Sequence, residues 1–178
     1  MEIPGQEDAL LVAEILKGRK ASFTTLVNRY QRLVRLGIWS YFRKQEVVDD
    51  LSQETFIKIY YNLSSLKDPK KIKGWILQIA FHVCVDYQRR NKIENVQLEQ
   101  KAIDDLQNKT NNEGTSFFDE KTVLNLLNRL SPVDCFIVWL KYVEEMPYSE
   151  IAGMIDSTEA GIRQKTSRAM KALREYLK

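Results

Sequence analysis

Hydrophobic residues recur along this chain at intervals of three and four, which is the spacing of helices that bury one face. The pattern predicts helices over residues 7–18, 23–42, 45–66 and 75–92 in the first half of the chain. Gly18 is well placed to end the first helix, and the Ser22 side chain can cap the second. With only seven glycines and four prolines in 178 residues, the chain is predicted to be all-α.

One glycine, Gly37, falls inside the second predicted helix. Glycine in a helix interior costs about 1 kcal/mol relative to alanine, because its backbone loses more freedom on folding. We therefore expect a packing reason for this residue.

The C-terminal segment contains two amphipathic stretches separated by a predicted turn. Residues 148–155 carry an apolar stripe, residues 156–158 form the turn, and residues 159–177 mix apolar positions with basic ones. Ser157 or Thr158 can cap the second helix. This is the pattern of a helix-turn-helix, although an ordinary helical hairpin with a solvated basic face would share it.

The chain turns polar and acidic between residues 93 and 121. This change predicts a flexible linker that joins two small helical domains, residues 1–92 and 122–178. In the later domain, Ser131 followed by Pro132 predicts a capped helix start. The helix-turn-helix pattern then ends that domain.

Charge is distributed unevenly although the formal net charge is only +3. Residues 67–92 hold seven Lys or Arg against two Asp, a net of +5, and residues 158–178 hold six against two, a net of +4. Residues 93–121 hold three Lys against seven acids, a net of −4. Two basic blocks around an acidic one indicate two separate contacts with a polyanion.

Four polar residues lie together near the start of the third predicted helix, at Asp49, Asp50, Gln53 and Glu54. Acids are stabilised there by the helix dipole, so a solvated helix start explains them. An acidic docking face for a protein partner is the alternative, and the pattern alone favours the solvated start.

Basic residues gather at both ends of the fourth predicted helix. Lys67, Lys70, Lys71 and Lys73 precede it together with Trp75, and Arg89 and Arg90 stand near its end. The helix dipole also stabilises cations at the carboxyl end of a helix, so a structural role for Arg89 and Arg90 is the alternative. Aromatic rings that stack with bases, beside lysines that hold phosphates, are what a single-stranded nucleic-acid site needs.

The sequence offers little for catalysis or metal binding. His82 is the single histidine, and no carboxylate pair, nucleophile with a base, or phosphate-binding glycine loop can be assembled. Cys84 and Cys135 lie in apolar stretches and are expected to be buried thiols in a reducing compartment. The polar start of the chain and the lack of a long apolar run predict a cytoplasmic protein, with no metal, cofactor or membrane span.

Four segments, in their order and spacing, resemble the bacterial RNA polymerase sigma factors of the extracytoplasmic-function (ECF) group. They are residues 23–42, residues 48–56, residues 75–80 with Asp86, Arg89 and Arg90, and residues 130–132 leading to 148–152. The resemblance runs from about Glu7 to Tyr176, nearly the whole chain.

The resemblance implies a non-catalytic promoter-specificity subunit whose partners are the RNA polymerase core enzyme and promoter DNA. In the first domain, the core-binding residues would be Asp49, Asp50, Leu51, Gln53, Glu54 and Phe56. The minus-ten element would be opened and held by Lys67, Lys70, Lys71, Lys73, Trp75, Arg89 and Arg90, with Trp75 expected to be more a core residue than a stacking platform. In the second domain, the minus-thirty-five element would be read by Thr158, Arg163, Gln164, Lys165, Ser167, Arg168 and Lys171.

The chain departs from the family pattern at a few positions. Members usually carry Arg-Asn where this chain has Phe81 and His82, and a glycine where it has Asp156. Gly161 replaces a residue that is normally a better helix former. We expect these changes to alter DNA contacts or the start of the recognition helix.

Two further expectations concern partners and function. Sigma factors of this group are often held inactive by an anti-sigma factor, so such a protein is a third expected partner. The alternative function is a stand-alone helix-turn-helix transcriptional regulator. Such a regulator would bind duplex DNA unaided and would not need the acidic segment around Asp50.

Overall fold

The computed structural model describes residues 6–99 and 130–176. Every regular element among these residues is a helix, which confirms the predicted fold class. The helices are α1 (Gln6–Leu16), α2 (Lys20–Phe42), α3 (Gln45–Asn62), α4 (Ile72–Glu99), α5 (Pro132–Tyr142), α6 (Tyr148–Met154) and α7 (Glu159–Tyr176). Two 3-10 turns, Leu63–Ser65 and Pro69–Lys71, connect α3 to α4.

Helix α1 is fixed to α2 by one buried carboxylate. Asp8 is 9% exposed and accepts hydrogen bonds from Arg29 Nη1 at 2.6 Å and from the Tyr30 hydroxyl at 2.7 Å. Burial, followed by the hydrogen bond to Asp8, raises the pKa of the Tyr30 phenol. Gly18 adopts φ +87° directly after α1, as expected of a glycine that ends a helix.

The start of α2 differs from the sequence prediction. The helix begins at Lys20, so Ser22 lies inside its first turn and does not cap it. Its hydroxyl is turned back to α1 instead, where it donates to Glu14 Oε2 at 2.6 Å. The residue at the cap position, Arg19, makes no side-chain capping hydrogen bond. The prediction that Ser22 caps α2 is therefore wrong, because its hydroxyl donates to a side chain of α1.

Helix α4 also exceeds its predicted bounds at both ends. It begins at Ile72, so Gly74 lies within its first turn and does not precede the helix. It continues past Lys92 to Glu99, so the first residues assigned to the linker are helical. The remainder of that linker, and the first residues of the second predicted domain up to residue 129, lie outside the described residues.

Helix α2 is the centre of the packing, since it contacts α1, α3, α4 and α5. One hydrophobic core runs through both halves of the chain, from Val12 in α1 to Ile162 in α7. Its fully buried members include Leu26, Ile38, Ile76, Phe136 and Ile151. The two predicted domains therefore pack against each other, and α4 contacts α6 as well.

Gly37 has the packing reason that the sequence led us to expect. A Cβ placed on this glycine would lie 3.1 Å from Trp139 Cζ3 and 3.3 Å from Phe136 Cε2. Both rings belong to α5, so the missing side chain lets α5 lie directly on the backbone of α2. Helix α5 starts as predicted, because Ser131 Oγ accepts a hydrogen bond from the Asp134 backbone at 3.1 Å and Pro132 follows the cap.

Candidate nucleic-acid interface

Helices α6 and α7 form the predicted helix-turn-helix. The turn between them contains Asp156 with φ 50°, a left-handed conformation that glycine adopts more readily than other residues. Thr158 caps α7, because its Oγ1 accepts a hydrogen bond from the Gly161 backbone at 3.1 Å. Of the two capping candidates in the sequence, Thr158 is the one that makes this contact.

Helix α7 buries one face and exposes the other. Ile162, Thr166 and Ala169 are buried against the rest of the chain, and the Thr166 hydroxyl donates to the Ile162 carbonyl at 2.9 Å. All seven residues predicted to read the minus-thirty-five element are exposed, namely Thr158, Arg163, Gln164, Lys165, Ser167, Arg168 and Lys171. This face therefore carries four cations and three uncharged hydrogen-bonding groups.

Arg163 is the most constrained cation on that face. Its Nη2 lies 2.6 Å from Glu159 Oε1, and its guanidinium lies 4.6 Å from the centre of the Tyr148 ring. A cation over an aromatic face is attracted by the ring quadrupole. These two contacts hold Arg163 near the start of α7. A nucleic acid that binds the Arg163 guanidinium must therefore displace Glu159.

The four lysines before and within the first turn of α4 form an exposed basic loop, at Lys67, Lys70, Lys71 and Lys73. The Asp68 side chain shapes this loop by accepting a hydrogen bond from the Lys70 backbone at 3.0 Å. Trp75 is half-buried and packs against the core. This placement agrees with the expectation that Trp75 is more a core residue than a stacking platform.

The structure does not bring Arg89 and Arg90 to the basic loop. Arg89 lies sixteen positions after Lys73 in α4, which amounts to about 24 Å along the helix at about 1.5 Å per residue. Both arginines pair with acids instead, Arg89 with Asp86 at 3.2 Å and Arg90 with Glu54 at 3.3 Å. The predicted minus-ten set thus falls into two separate groups.

The acidic residues of α3 lie on one surface of the N-terminal half. Asp49 pairs with Arg35 and accepts a hydrogen bond from Gln45, and these contacts, chiefly the one with Arg35, lower the pKa of its carboxyl group. Asp50 and Gln53 are exposed, whereas Glu54 is half-buried and pairs with Lys58 at 3.0 Å. The pattern did not identify Arg35 as a partner of this surface.

The two apolar members of the predicted core-binding set differ in position. Leu51 is only 2% exposed and points into the core, so it supports α3 from behind and cannot touch a partner. Phe56 is half-buried and packs against the core. The groups available to a partner are therefore mainly Asp49, Asp50 and Gln53.

A groove of about 410 Å³ lies between the basic loop and α6. Lys67, Lys71 and Trp75 line one side, and Glu150, Gly153 and Met154 line the other. Glu144, after α5, pairs with Lys73 at 2.8 Å. Residue spacing did not identify Glu144 and Glu150, because their contacts join residues that are far apart along the chain.

The rest of the described chain offers no sign of metal or thiol chemistry. Among residues 6–99 and 130–176, no group of three or more His, Cys, Asp or Glu side chains could hold a metal ion. Cys84 and Cys135 are both buried, as expected, and burial raises the pKa of the Cys84 thiol. None of the described helices combines the length and the apolar character that a membrane crossing requires.

Comparison with known proteins places this geometry in a family. Residues 26–93 match the family model of sigma-70 region 2, and residues 120–173 match that of sigma-70 region 4. The ECF RNA polymerase sigma-E factor of Haemophilus influenzae is 26% identical over 93% of this chain and 93% of its own length. The ECF RNA polymerase sigma factor SigM of Bacillus subtilis is 26% identical over 74% of this chain and 80% of its own.

Two solved structures share the fold. The sigma factor RpoE of Bartonella quintana, in complex with the anti-sigma factor NepR, superposes with a TM-score of 0.71 at 20% identity, covering 87% of this chain and 96% of that one. CnrH in complex with the cytosolic domain of CnrY gives a TM-score of 0.68 at 19% identity, covering 96% of each chain. With both sigma-70 regions matched in order along one chain, and relatives of the same kind over most of its length, the protein belongs to the sigma-70 family of RNA polymerase sigma factors, in the ECF group.

Proposed function

We propose that this protein binds the core RNA polymerase in the cytoplasm and directs transcription initiation at specific promoters, without catalysis of its own. One observation carries the proposal: a single chain presents an exposed basic helix-turn-helix face on α7 and a separate acidic face on α3. A DNA-binding surface combined with a docking surface of opposite charge suits a protein that joins an enzyme to DNA.

The α7 face is proposed to read the minus-thirty-five element in the major groove. Arginine forms paired hydrogen bonds with guanine, and glutamine does so with adenine. Arg163 and Gln164 are adjacent in the exposed first half of α7, whereas Lys171 lies two turns further on. Arg163 and Gln164 are therefore assigned to base contacts, and Lys171 is assigned to phosphate.

The basic loop is proposed to hold the minus-ten element. Its four lysines can contact phosphates of a single strand that leaves the opened duplex. The half-buried Trp75 side chain lies beside these lysines and can support an unstacked base. Arg89 and Arg90 stand about 24 Å away along α4 and are assigned to phosphates further along the same DNA.

The acidic face of α3 is proposed to dock on the core enzyme. Asp49, Asp50, Gln53 and Glu54 offer carboxylate and amide oxygens to basic partner residues. Electrostatic complementarity of this kind gives orientation and a fast association rate more than raw affinity. The half-buried Phe56 ring can add apolar contact, with Leu51 packed behind the surface.

An anti-sigma factor is a proposed further partner. Two sigma factors that share this fold were solved in complex with such a protein or with a cytosolic domain. Purification of the tagged chain from its native host, followed by mass spectrometry, would test this proposal. Absence of any stoichiometric companion other than polymerase subunits would count against it.

The direct test of function is run-off transcription with purified core enzyme and fragments of the native genome. We expect specific transcripts only when the chain and the core enzyme are both present. The alternative, a stand-alone helix-turn-helix regulator, predicts sequence-specific binding to duplex DNA by the chain alone and no initiation with core. That second outcome would replace the sigma-factor proposal.

A further inference from the structure

The start of α7 carries an acid among the cations proposed to meet DNA. Residues 159–176 contain two acids, Glu159 and Glu175. Glu175 lies near the end of the helix, where it faces Lys171 at 3.8 Å. Glu159 lies in the first turn, close to the residues proposed to read bases, and its side chain is 45% exposed. A carboxylate at this position is repelled by DNA phosphates unless the DNA offers it a hydrogen-bond donor.

Glu159 and Arg163 form one hydrogen-bonded unit in the free chain. Glu159 Oε1 accepts hydrogen bonds from Arg163 Nε at 3.0 Å and from Arg163 Nη2 at 2.6 Å. Both bonds go to one oxygen, so Glu159 Oε2 takes no part in this contact. Thr158 fixes the first turn of α7 by accepting a hydrogen bond from the Gly161 backbone, so both side chains leave the helix from a defined position.

The Tyr148 ring gives Arg163 a second contact, which does not depend on Glu159. The Arg163 guanidinium lies 4.6 Å from the centre of this ring, and Lys141 Nζ lies at the same distance from it. Lys141 also donates a hydrogen bond to the Met146 carbonyl at 3.2 Å. When a base displaces Glu159, the Tyr148 ring can therefore keep the guanidinium at the start of α7, within reach of the displaced carboxylate.

The major-groove edge of a G·C pair matches an arginine and a glutamate that are presented together. Guanine offers two acceptors, N7 and O6, and the paired cytosine offers one donor, its N4 amino group. A guanidinium supplies two donors to guanine, and a carboxylate accepts a hydrogen bond from cytosine N4. An A·T pair presents an acceptor, a donor and an acceptor, so the same two side chains would make at least one mismatched contact with it.

We propose that Glu159 is a specificity-determining residue, which reads the cytosine of the same base pair whose guanine is read by Arg163. This inference rests on the proposed function, because it assumes that α7 reads DNA bases. Guanine displaces Glu159 from the guanidinium, and the amino group of the paired cytosine then donates to the displaced carboxylate. At any other base pair one of the two side chains lacks its hydrogen-bond partner, which lowers the affinity for that DNA.

A purely structural role for Glu159 predicts a different result. An acid in the first turn stabilises a helix through the helix dipole, and a pair with an arginine four residues later adds to this. Neither effect depends on the base that faces the helix. A structural role alone would therefore change the affinity for all DNA sequences by the same factor.

The first step of the test locates the base pair. Duplexes with a randomised upstream segment are incubated with the full-length chain, alone and together with core polymerase, and the bound duplexes are sequenced. We expect Arg163→Ala to lose the preference for guanine at one position that the native chain selects. If Arg163→Ala selects the same sequences as the native chain, Arg163 reads no base and the proposal is overturned.

The second step removes a single amino group from the DNA. At the located position, cytosine is replaced by a pyrimidinone that lacks the exocyclic amino group, and fluorescence anisotropy compares the affinities for the two duplexes. We expect the native chain to lose about tenfold in affinity, and Glu159→Ala to bind both duplexes equally. Glu175→Ala removes the same charge at the other end of α7 and should behave as the native chain does. Equal binding of both duplexes by the native chain, or the same loss for Glu159→Ala, would overturn the proposal.

The selection step also tests the proposed function separately. A sequence motif that is selected only in the presence of core polymerase supports the sigma-factor proposal, whereas selection by the chain alone supports the stand-alone regulator. Glu159→Ala and Glu175→Ala are compared in whichever form binds, so the role of Glu159 is decided in both cases. A chain that selects no sequence in either form would overturn both proposals.

Discussion

Arg90 Nη2 lies 3.3 Å from Glu54 Oε2 and so joins α4 to α3. Glu54 belongs to the surface proposed to meet polymerase, and Arg90 belongs to the surface proposed to meet DNA. Each residue thus neutralises the other in the free chain. Docking of a basic partner residue on Glu54 would release Arg90 toward phosphate, which couples the two proposed contacts through one ion pair.

A Glu54→Gln variant tests this coupling. Without the carboxylate, Arg90 is released, and we expect the chain to bind a single-stranded oligonucleotide a few-fold more tightly. The unfolding free energy should change by less than about 1 kcal/mol, because half-exposed ion pairs contribute little. Glu46→Gln makes the same charge change at an exposed residue of the first turn of α3. Equal binding by both variants, measured by anisotropy, would show that the pair does not restrain Arg90.

An Asp50→Ala variant tests the docking surface itself. Asp50 is exposed on α3, so its removal should leave the melting temperature within about 2 °C of the native value. Affinity for core polymerase should fall about tenfold, mainly through a slower association rate. Surface plasmon resonance with immobilised core enzyme measures both rates. Unchanged kinetics, with Glu46→Ala as the reference, would remove Asp50 from the docking surface.

Gln164→Ala and Lys171→Ala should weaken DNA binding in different ways. Loss of a glutamine that reads a base should cost about 1–3 kcal/mol on the cognate promoter and little on other sequences. Loss of a lysine that holds a phosphate should weaken binding to all sequences and reduce the salt slope by about 1. Holoenzyme binding to cognate and scrambled promoters across a salt series distinguishes the two effects. Identical behaviour of both variants would contradict the assignment of roles on α7.

Ionisation of the Tyr41 phenol should lower the unfolding free energy at alkaline pH. Burial raises the pKa of its phenol from 10.0 to about 12, and its hydroxyl donates to Gln88 Oε1 at 2.7 Å. The folded state favours the neutral phenol, so Tyr41 contributes in full to the unfolding free energy below pH 10. This contribution is lost as the pH rises through about 12.

Urea unfolding between pH 9 and 12 measures this loss. Tyr41→Phe should flatten the fall in unfolding free energy over that range, because the variant has no phenol to ionise. Tyr61→Phe removes a phenol that is 77% exposed and should leave the pH profile as it is in the native chain. Parallel profiles for the native chain and Tyr41→Phe would refute the prediction.

The turn of the helix-turn-helix offers a test of backbone strain. Asp156 has φ 50°, a conformation that costs a residue with a Cβ more than it costs glycine. Asp156→Gly and Asp156→Ala both remove the carboxylate that faces His82, so their difference isolates the backbone. We expect the glycine variant to be more stable by about 1 kcal/mol in thermal unfolding. Equal stabilities would mean that the turn rearranges in the variants.

Local features of the fold were predictable from the sequence. Three-four spacing located the helices, the Ser131 and Pro132 pair marked the start of α5, and Thr158 was one of two candidates for the cap of α7. Gly37 indicated that another element must come close to α2. These signals are local, because capping and helical periodicity involve only neighbours within one or two helical turns.

Long-range pairing was not predictable in the same way. The sequence indicated a close approach at Gly37 but could not name Trp139 as the neighbour. Arg90 was expected to contact DNA, and the sequence did not indicate that it pairs with an acid from another helix. Ser22 was expected to cap α2, but its hydroxyl donates a hydrogen bond to Glu14 of α1. Each of these contacts depends on how helices pack, which residue spacing within one helix does not specify.

The Asp8 contacts have a consequence for the order in which the chain folds. Asp8 bonds to residues only 21 and 22 positions further along, whereas Gly37 meets Trp139 of a helix made much later. Short loops close with less entropy cost and therefore sooner. We expect α1 and α2 to pair while the ribosome is still making the rest of the chain. The surface of α2 that receives α5 would then stay uncovered until α5 itself has been synthesised.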